Sequence, residues 1–150
     1  MELYIYERFS KADVEAAQAQ WAAAVIAQDV DTLMSLYDFD REGGPLLFKP
    51  TLSCDIRTDP DGTRSYFVGG DSRYPYDQGF IKKGWRSVRF ESAAGPIFEA
   101  GGRAAVDMGT YYFETESGDV VPADYTFSYH KPNGKLLITV HHSSLVWAPT

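Results

Sequence analysis

Cysteine is almost missing from this sequence. Cys54 stands alone among 150 residues, so no internal disulfide can form and no CxxC or Cys/His ligand cluster exists. The chain therefore needs no oxidising compartment, although none is barred to it. Basic residues are also outnumbered, 14 Lys+Arg against 21 Asp+Glu, and the net charge of −7 repels phosphate backbones and anionic lipid. Nucleic acid and membrane surfaces are thus poor partners. No apolar run approaches the roughly 20 residues of a membrane helix. The opening MELYIYERFS, with Glu2 and Glu7, shows neither a signal nor a transit pattern, which makes the cytoplasm the expected address. Internal repeats, low-complexity tracts and linkers are lacking as well, so a single domain over 1–150 is expected.

What is present is apolar and aromatic. At 44% hydrophobic and 15% aromatic, the chain can build one core that buries about two-thirds of its unfolded surface. Ser10 followed by Asp13 resembles a capping start, and Val14, Ala17, Trp21, Ala24 and Val25 recur at helical spacing to about Gln28. Asp29 or Asp31 caps a shorter helix carrying Leu33, Met34, Leu36 and Tyr37. After Gly43-Gly44-Pro45 the helical period stops, and Leu46-Leu47-Phe48 reads as a buried strand. Asp59-Pro60-Asp61-Gly62 reads as a turn, Ser65 to Val68 as a strand, and Pro75 to Lys83 as a small helix. Strands follow over Trp85 to Ser92, Gly102 to Thr115, Val120 to Tyr129 and Leu136 to Trp147, with a weaker one at Pro96 to Glu99. Glu116-Ser117-Gly118-Asp119 and Lys131-Pro132-Asn133-Gly134 are the hairpin turns. This order predicts an α+β fold: a strongly curved, mainly antiparallel sheet, shaped as a cone, with the N-terminal helices on its concave side.

The last strand carries the most chemistry. Strict alternation puts Leu136, Ile138, Val140, His142, Ser144 and Val146 on one mostly apolar face, directed into the cone. His142 and Ser144 on such a face serve a ligand or an internal network, and spacing alone leaves both readings open. The same alternation sends His141 and His142 to opposite faces, against a zinc site of three histidines. Asp55, Asp59 and Asp61 look like a solvated turn rather than a site for a harder metal. A Ser144–His142 nucleophile pair lacks the strand-to-helix elbow of hydrolases. Thr51, just after the first strand, and Tyr66 each also fit a structural role; with Ser144 they supply three neutral hydroxyls that donate, accept and orient water.

Taken in order, Leu46-Leu47-Phe48-Lys49-Pro50-Thr51, Ser65-Tyr66-Phe67-Val68-Gly69-Gly70-Asp71, Asp124-Tyr125-Thr126-Phe127-Ser128-Tyr129 and His141-His142-Ser143-Ser144 resemble the motifs of the iota-class carbonic anhydrases. The similarity runs from about Trp21 to Trp147. That family is related to the association domain of calmodulin-dependent kinase and shares the nuclear-transport-factor-like, or SnoaL-like, cone. The resemblance implies reversible hydration of CO2 to bicarbonate in a homodimer. Bacterial and algal members of the family work without a metal and diatom relatives are linked to manganese; the opposed histidines fit the metal-free branch, with no cofactor expected. It matches Thr51, Tyr66 and Ser144 to the residues that hold bicarbonate and the attacking water, with Phe48, Val140 and His142 as pocket neighbours. Two other readings fit the same fold. One is a noncatalytic oligomerisation or peptide-binding module. The other is a SnoaL-like isomerase or dehydratase with Asp124 or His142 as its general acid or base, a reading that a wide pocket favours.

Overall fold

A computed structural model of the chain describes residues 5–41 and 45–149, so the Gly43-Gly44 half of the expected break lies outside the described residues. Helix α1 spans Lys11–Ala27. Its start is a capping box: the Ser10 hydroxyl accepts from the Asp13 amide at 3.2 Å, and the Asp13 carboxylate accepts from the Ser10 amide at 2.8 Å. Val14, Gln18, Trp21, Ala22 and Val25 form the buried stripe. Helix α2, Val30–Met34, is capped by Asp29. No helix among the described residues is long and apolar enough to cross a membrane.

Strands β1 (Leu47–Lys49), β2 (Ser87–Ser92), β3 (Ile97–Glu99), β4 (Ala104–Glu114), β5 (Val120–His130) and β6 (Leu137–Leu145) form one sheet, ordered β1-β6-β5-β4-β2 with β3 beside β4. The β1–β6 pair is parallel and the others are antiparallel. Gly109, inside β4, is where β2 crowds in: a Cβ there would lie 2.1 Å from the Glu91 carbonyl oxygen, a close approach only glycine permits. The concave face is filled by Trp21 from α1, stacked on Tyr111 at 5.8 Å and edge-on to Phe127 and His141 at 6.0 and 5.8 Å.

Two departures from the sequence reading shape the site. The first is helix α3, Pro60–Val68, where a turn and a strand were expected. Asp59 is its N-cap, accepting from the Gly62 amide at 2.7 Å, and Pro60 opens the first turn, where its missing N–H costs nothing. Asp-Pro starts a helix as readily as a turn. The run Tyr66-Phe67-Val68 is too short to tell a strand from a buried helical face. The helix expected over Pro75 to Lys83 shrinks to a 3-10 turn at Phe80–Lys83, held between Gly79 and Gly84, both at positive φ.

The second departure is a β-bulge. Ser128 pairs with Val140 but Tyr129 pairs with Ile138, so Thr139 is an extra residue on β6. One extra residue reverses the alternation beyond it. Ile138 points inward before the bulge, and His141 and Ser143 point inward after it, at 2% and 1% exposure. Val140, His142 and Ser144 take the outer face, with His142 exposed. The inward direction expected for these three is therefore corrected.

Candidate active site

Where α1, α3, β1, β4 and β6 converge, a chamber of about 10 Å³ remains, walled by Trp21, Phe48, Thr51, Tyr66, Phe67, Phe80, Tyr111, Phe113, His141 and Ser143. That is room for about one water. Phe48 reaches the chamber because β1 pairs in parallel with β6, Phe48 opposite His141. Thr51 follows where the chain leaves the strand. Tyr66 and Phe67 come from the buried side of α3, and Tyr111 and Phe113 from alternate positions of β4.

A hydrogen-bonded string runs from the core to this chamber. Trp21 Nε1–H donates to the Tyr37 hydroxyl at 3.0 Å, and Tyr37 meets His141 Nδ1 at 2.9 Å. His141 Nε2 lies 3.1 Å from the Tyr111 hydroxyl, Tyr111 donates to Ser143 Oγ, and Ser143 Oγ is 2.5 Å from Thr51 Oγ1. The His141 ring is sandwiched between Phe127 and Phe48, with centroids 4.1 and 4.9 Å away. Burial there, with a lesser contribution from His142, lowers its pKa to about 3 and keeps the imidazole neutral. Burial likewise raises the Tyr37 and Tyr111 phenols, so both remain protonated.

The Tyr66 hydroxyl differs from the rest. It is fully buried and has no partner with hydrogen-bonding geometry among the described residues. Burial raises its pKa, and the nearby Thr51 side chain and Leu52 backbone offset part of that rise. A buried hydroxyl left unpaired costs roughly 1 to 3 kcal/mol. Tyr66 is nevertheless held firmly in place. Arg57, buried one layer behind it, bonds both carboxylate oxygens of Asp77 at 2.6 Å, and Asp77 also accepts from Ser65 of α3 at 2.7 Å. Arg57 lies 3.8 Å over the Tyr74 ring and 5.7 Å from that of Tyr66. Losing one partner of such a buried pair costs about 3 to 5 kcal/mol.

The structure thus brings Thr51, Tyr66 and Phe48 to one chamber and takes Ser144, His142 and Val140 away from it. Their places are filled by Ser143 and His141. Asp124, the alternative acid or base, is exposed opposite Ser144 on the outer face. A carboxylate that is buried is Asp107, satisfied by Gln18, Tyr125 and Ser92 at 2.7, 2.8 and 2.5 Å. A chamber sized for one water is also not the wide pocket that would favour an isomerase or dehydratase of large substrates. Sequence reasoning missed Tyr37, Tyr111 and the indole N–H of Trp21. The only sign of Tyr111 was a phenol two residues from Phe113 on an apolar strand face. Among the described residues no group of three or more His, Cys, Asp or Glu is arranged to hold a metal ion.

Comparison with known proteins agrees with this geometry. The profile of the metal-independent carbonic anhydrase family matches residues 12–145. The metal-independent carbonic anhydrase of Nostoc sp. PCC 7120 is 34% identical over 158 aligned positions, covering 91% of this chain and 73% of that protein. Among solved structures, a cyanobacterial iota-carbonic anhydrase complexed with bicarbonate superposes with a TM-score of 0.82 at 31% identity, over 99% of both chains. A calcium/calmodulin-dependent kinase II association domain from Xanthomonas campestris superposes at 0.61 with 26% identity, over 97% of this chain and 98% of that one. With a family match over nearly the whole chain, and a nuclear-transport-factor-like cone built around a neutral hydroxyl network, this protein belongs to the metal-independent carbonic anhydrases.

Proposed function

We propose that this chamber catalyses reversible hydration of CO2, with Thr51 and Tyr66 as the groups that touch the reacting oxygens. The observation that carries this reading is the Tyr66 hydroxyl, buried and unpaired beside the Thr51 hydroxyl at a space for one water. An unsatisfied donor persists where a ligand satisfies it.

Magnitudes decide how the reaction proceeds. With a bulk-water pKa of about 15.7, forming free hydroxide at neutral pH costs on the order of 12 kcal/mol. Hydrogen bonds to a charged group return about 1.5 to 3 kcal/mol each. The hydroxyl donors of Thr51 and Tyr66 therefore fall short of making hydroxide in advance. Instead the water attacks as it deprotonates: the O–C bond forms, negative charge moves onto the former CO2 oxygens, and the proton passes to solvent water on the half-exposed side of Thr51. The rings of Phe48, Phe67, Phe80 and Phe113 exclude other water and strengthen the bonds at the reacting oxygens.

CO2 needs space beyond one water. A neighbouring cavity of about 260 Å³, lined by Leu52, Tyr76, Lys83 and others, shares Tyr66 and Phe80 with the chamber. CO2 enters and bicarbonate leaves on this side, with the Lys83 ammonium at the rim attracting the anion. Purified protein is expected to accelerate CO2 hydration in a stopped-flow indicator assay; rates equal to buffer would overturn the reading.

The outer sheet face supports a second part of the proposal, a homodimer. Leu47 and Met108 stand 43% and 59% exposed on it, near Val140 and His142. Light scattering is expected to give the mass of two chains. The mass of one would refute the dimer.

A further inference from the structure

The string of hydrogen bonds has a direction, and both of its ends fix it. The indole N–H of Trp21 can only donate. Because it donates to Tyr37, the single Tyr37 proton is free to go to His141 Nδ1, which then accepts. A neutral imidazole whose Nδ1 accepts carries its proton on Nε2. The chamber end leads to the same tautomer independently. Tyr111 donates to Ser143, so toward His141 it can only accept, which again requires Nε2–H. Ser143, having accepted from Tyr111, has Thr51 as the remaining partner of its hydroxyl among the described residues; in the arrangement that gives each buried proton an acceptor it donates to Thr51, and the Thr51 proton is left for the chamber.

We infer that Trp21 and Tyr37 are positioning residues for the reaction: they lock His141 as its Nε2–H tautomer and so oblige Thr51 to present a donor, not a lone pair, to the bound oxygen. This inference rests on the proposed carbonic anhydrase reading and deepens it. Thr51 and the unpaired Tyr66 hydroxyl then present two donors to one point, a site matched to an oxygen that gains negative charge. Each link polarises the next, so the directed string makes Thr51 a better donor than an isolated hydroxyl. In the opposite direction, the Trp21 N–H would face a Tyr37 oxygen already accepting from His141, and the Tyr37 proton would be buried without an acceptor. That unaccepted proton is what holds the direction.

The test uses the full chain with 15N-labelled histidine. NMR of the ring nitrogens reports the tautomer without reference to activity. His142, exposed on the outer face, and His130 are identified with His142→Gln and His130→Gln. For His141 the expected signature is a pyridine-like Nδ1 and a pyrrole-like Nε2. In Tyr37→Phe one of the two constraints is gone: Nδ1 loses its donor and its resonance should shift toward that of an unbonded pyridine-type nitrogen, while the ring, held by Tyr111 alone, leaves kcat down about tenfold, the scale of losing an orienting partner behind a reacting group. Trp21→Phe should move both readouts the same way; because Trp21 is a core residue, Tyr37→Phe is the deciding variant should that protein fail to fold. An Nδ1–H signal in the wild type, or Tyr37→Phe with an unchanged Nδ1 resonance and unchanged kcat, would overturn the inference. The wild-type tautomer separates the two claims: Nε2–H in a protein without hydratase activity keeps the directed string and rejects the function, whereas Nδ1–H in an active protein does the reverse.

Discussion

Ser143→Ala is expected to lower kcat for CO2 hydration about 100-fold, while Ser144→Ala stays within about twofold of wild type. The two serines are adjacent on β6, yet Ser143 is 1% exposed and bonded to Tyr111 and Thr51, whereas Ser144 lies on the outer face opposite Asp124. Removing the Ser143 hydroxyl takes the acceptor from Tyr111 and the donor from Thr51. The Thr51 hydroxyl is then free to rotate, and its proton is no longer directed at the chamber. Two buried groups left short of partners also lower stability, by about 1 to 3 kcal/mol for each that finds no substitute. A thermal melt of each variant separates this loss from the catalytic one. Equal losses in both variants, or a loss confined to Ser144→Ala, would contradict the bulged register.

Tyr66→Phe should combine a large catalytic loss with no loss of stability. Among the described residues its hydroxyl has no partner with hydrogen-bonding geometry, so deleting it removes a buried unsatisfied group and leaves the ring packed on Phe80 and Phe48. The expected result is a protein as stable as wild type, or more stable by about 1 kcal/mol. In the same variant kcat falls by about 100- to 1000-fold, the usual cost of one donor to a developing oxyanion. Thr51→Ala should lose a similar factor but lose stability too, since Thr51 bonds Ser143. The double variant should fall less than the product of the two, because both donors serve one oxygen. A hydroxyl retained at a cost to folding is the mark of a functional group. If Tyr66→Phe kept full turnover, Tyr66 would have no part in the chemistry.

Most of the fold is legible in the sequence, because long periodic segments state their structure plainly. Ser10 with Asp13, then Val14, Trp21 and Val25, define α1, and the turns at Gly118 and Asn133-Gly134 take the positive φ angles that glycine and asparagine tolerate. The errors lie where local signals are ambiguous. Asp59-Pro60 suits a turn and a helix start alike, and Tyr66 was therefore placed on a strand. Only the helix brings both residues to the chamber: on a strand neighbours alternate faces, and burying Phe67 would turn Tyr66 away. The bulge is a harder case. Nothing in Ile138-Thr139-Val140 marks Thr139 as extra, because the insertion shows only in the pairing with the partner strand at Ser128 and Tyr129. That one residue exchanged His142 and Ser144 for His141 and Ser143. The hydrogen-bond string was invisible for a related reason: Trp21, Tyr37, Tyr111 and His141 are distant in sequence, and three of them look like ordinary core aromatics until the fold aligns their polar atoms.

The central claim is that neutral hydroxyls, aligned by a directed network, stabilise the charge that CO2 gains on hydration. Its most direct test is stopped-flow CO2 hydration by chelator-treated protein, with metal content measured on the same sample. The account predicts undiminished turnover with metal far below one ion per chain. Turnover that vanishes on chelation and returns only with an added divalent ion would contradict it.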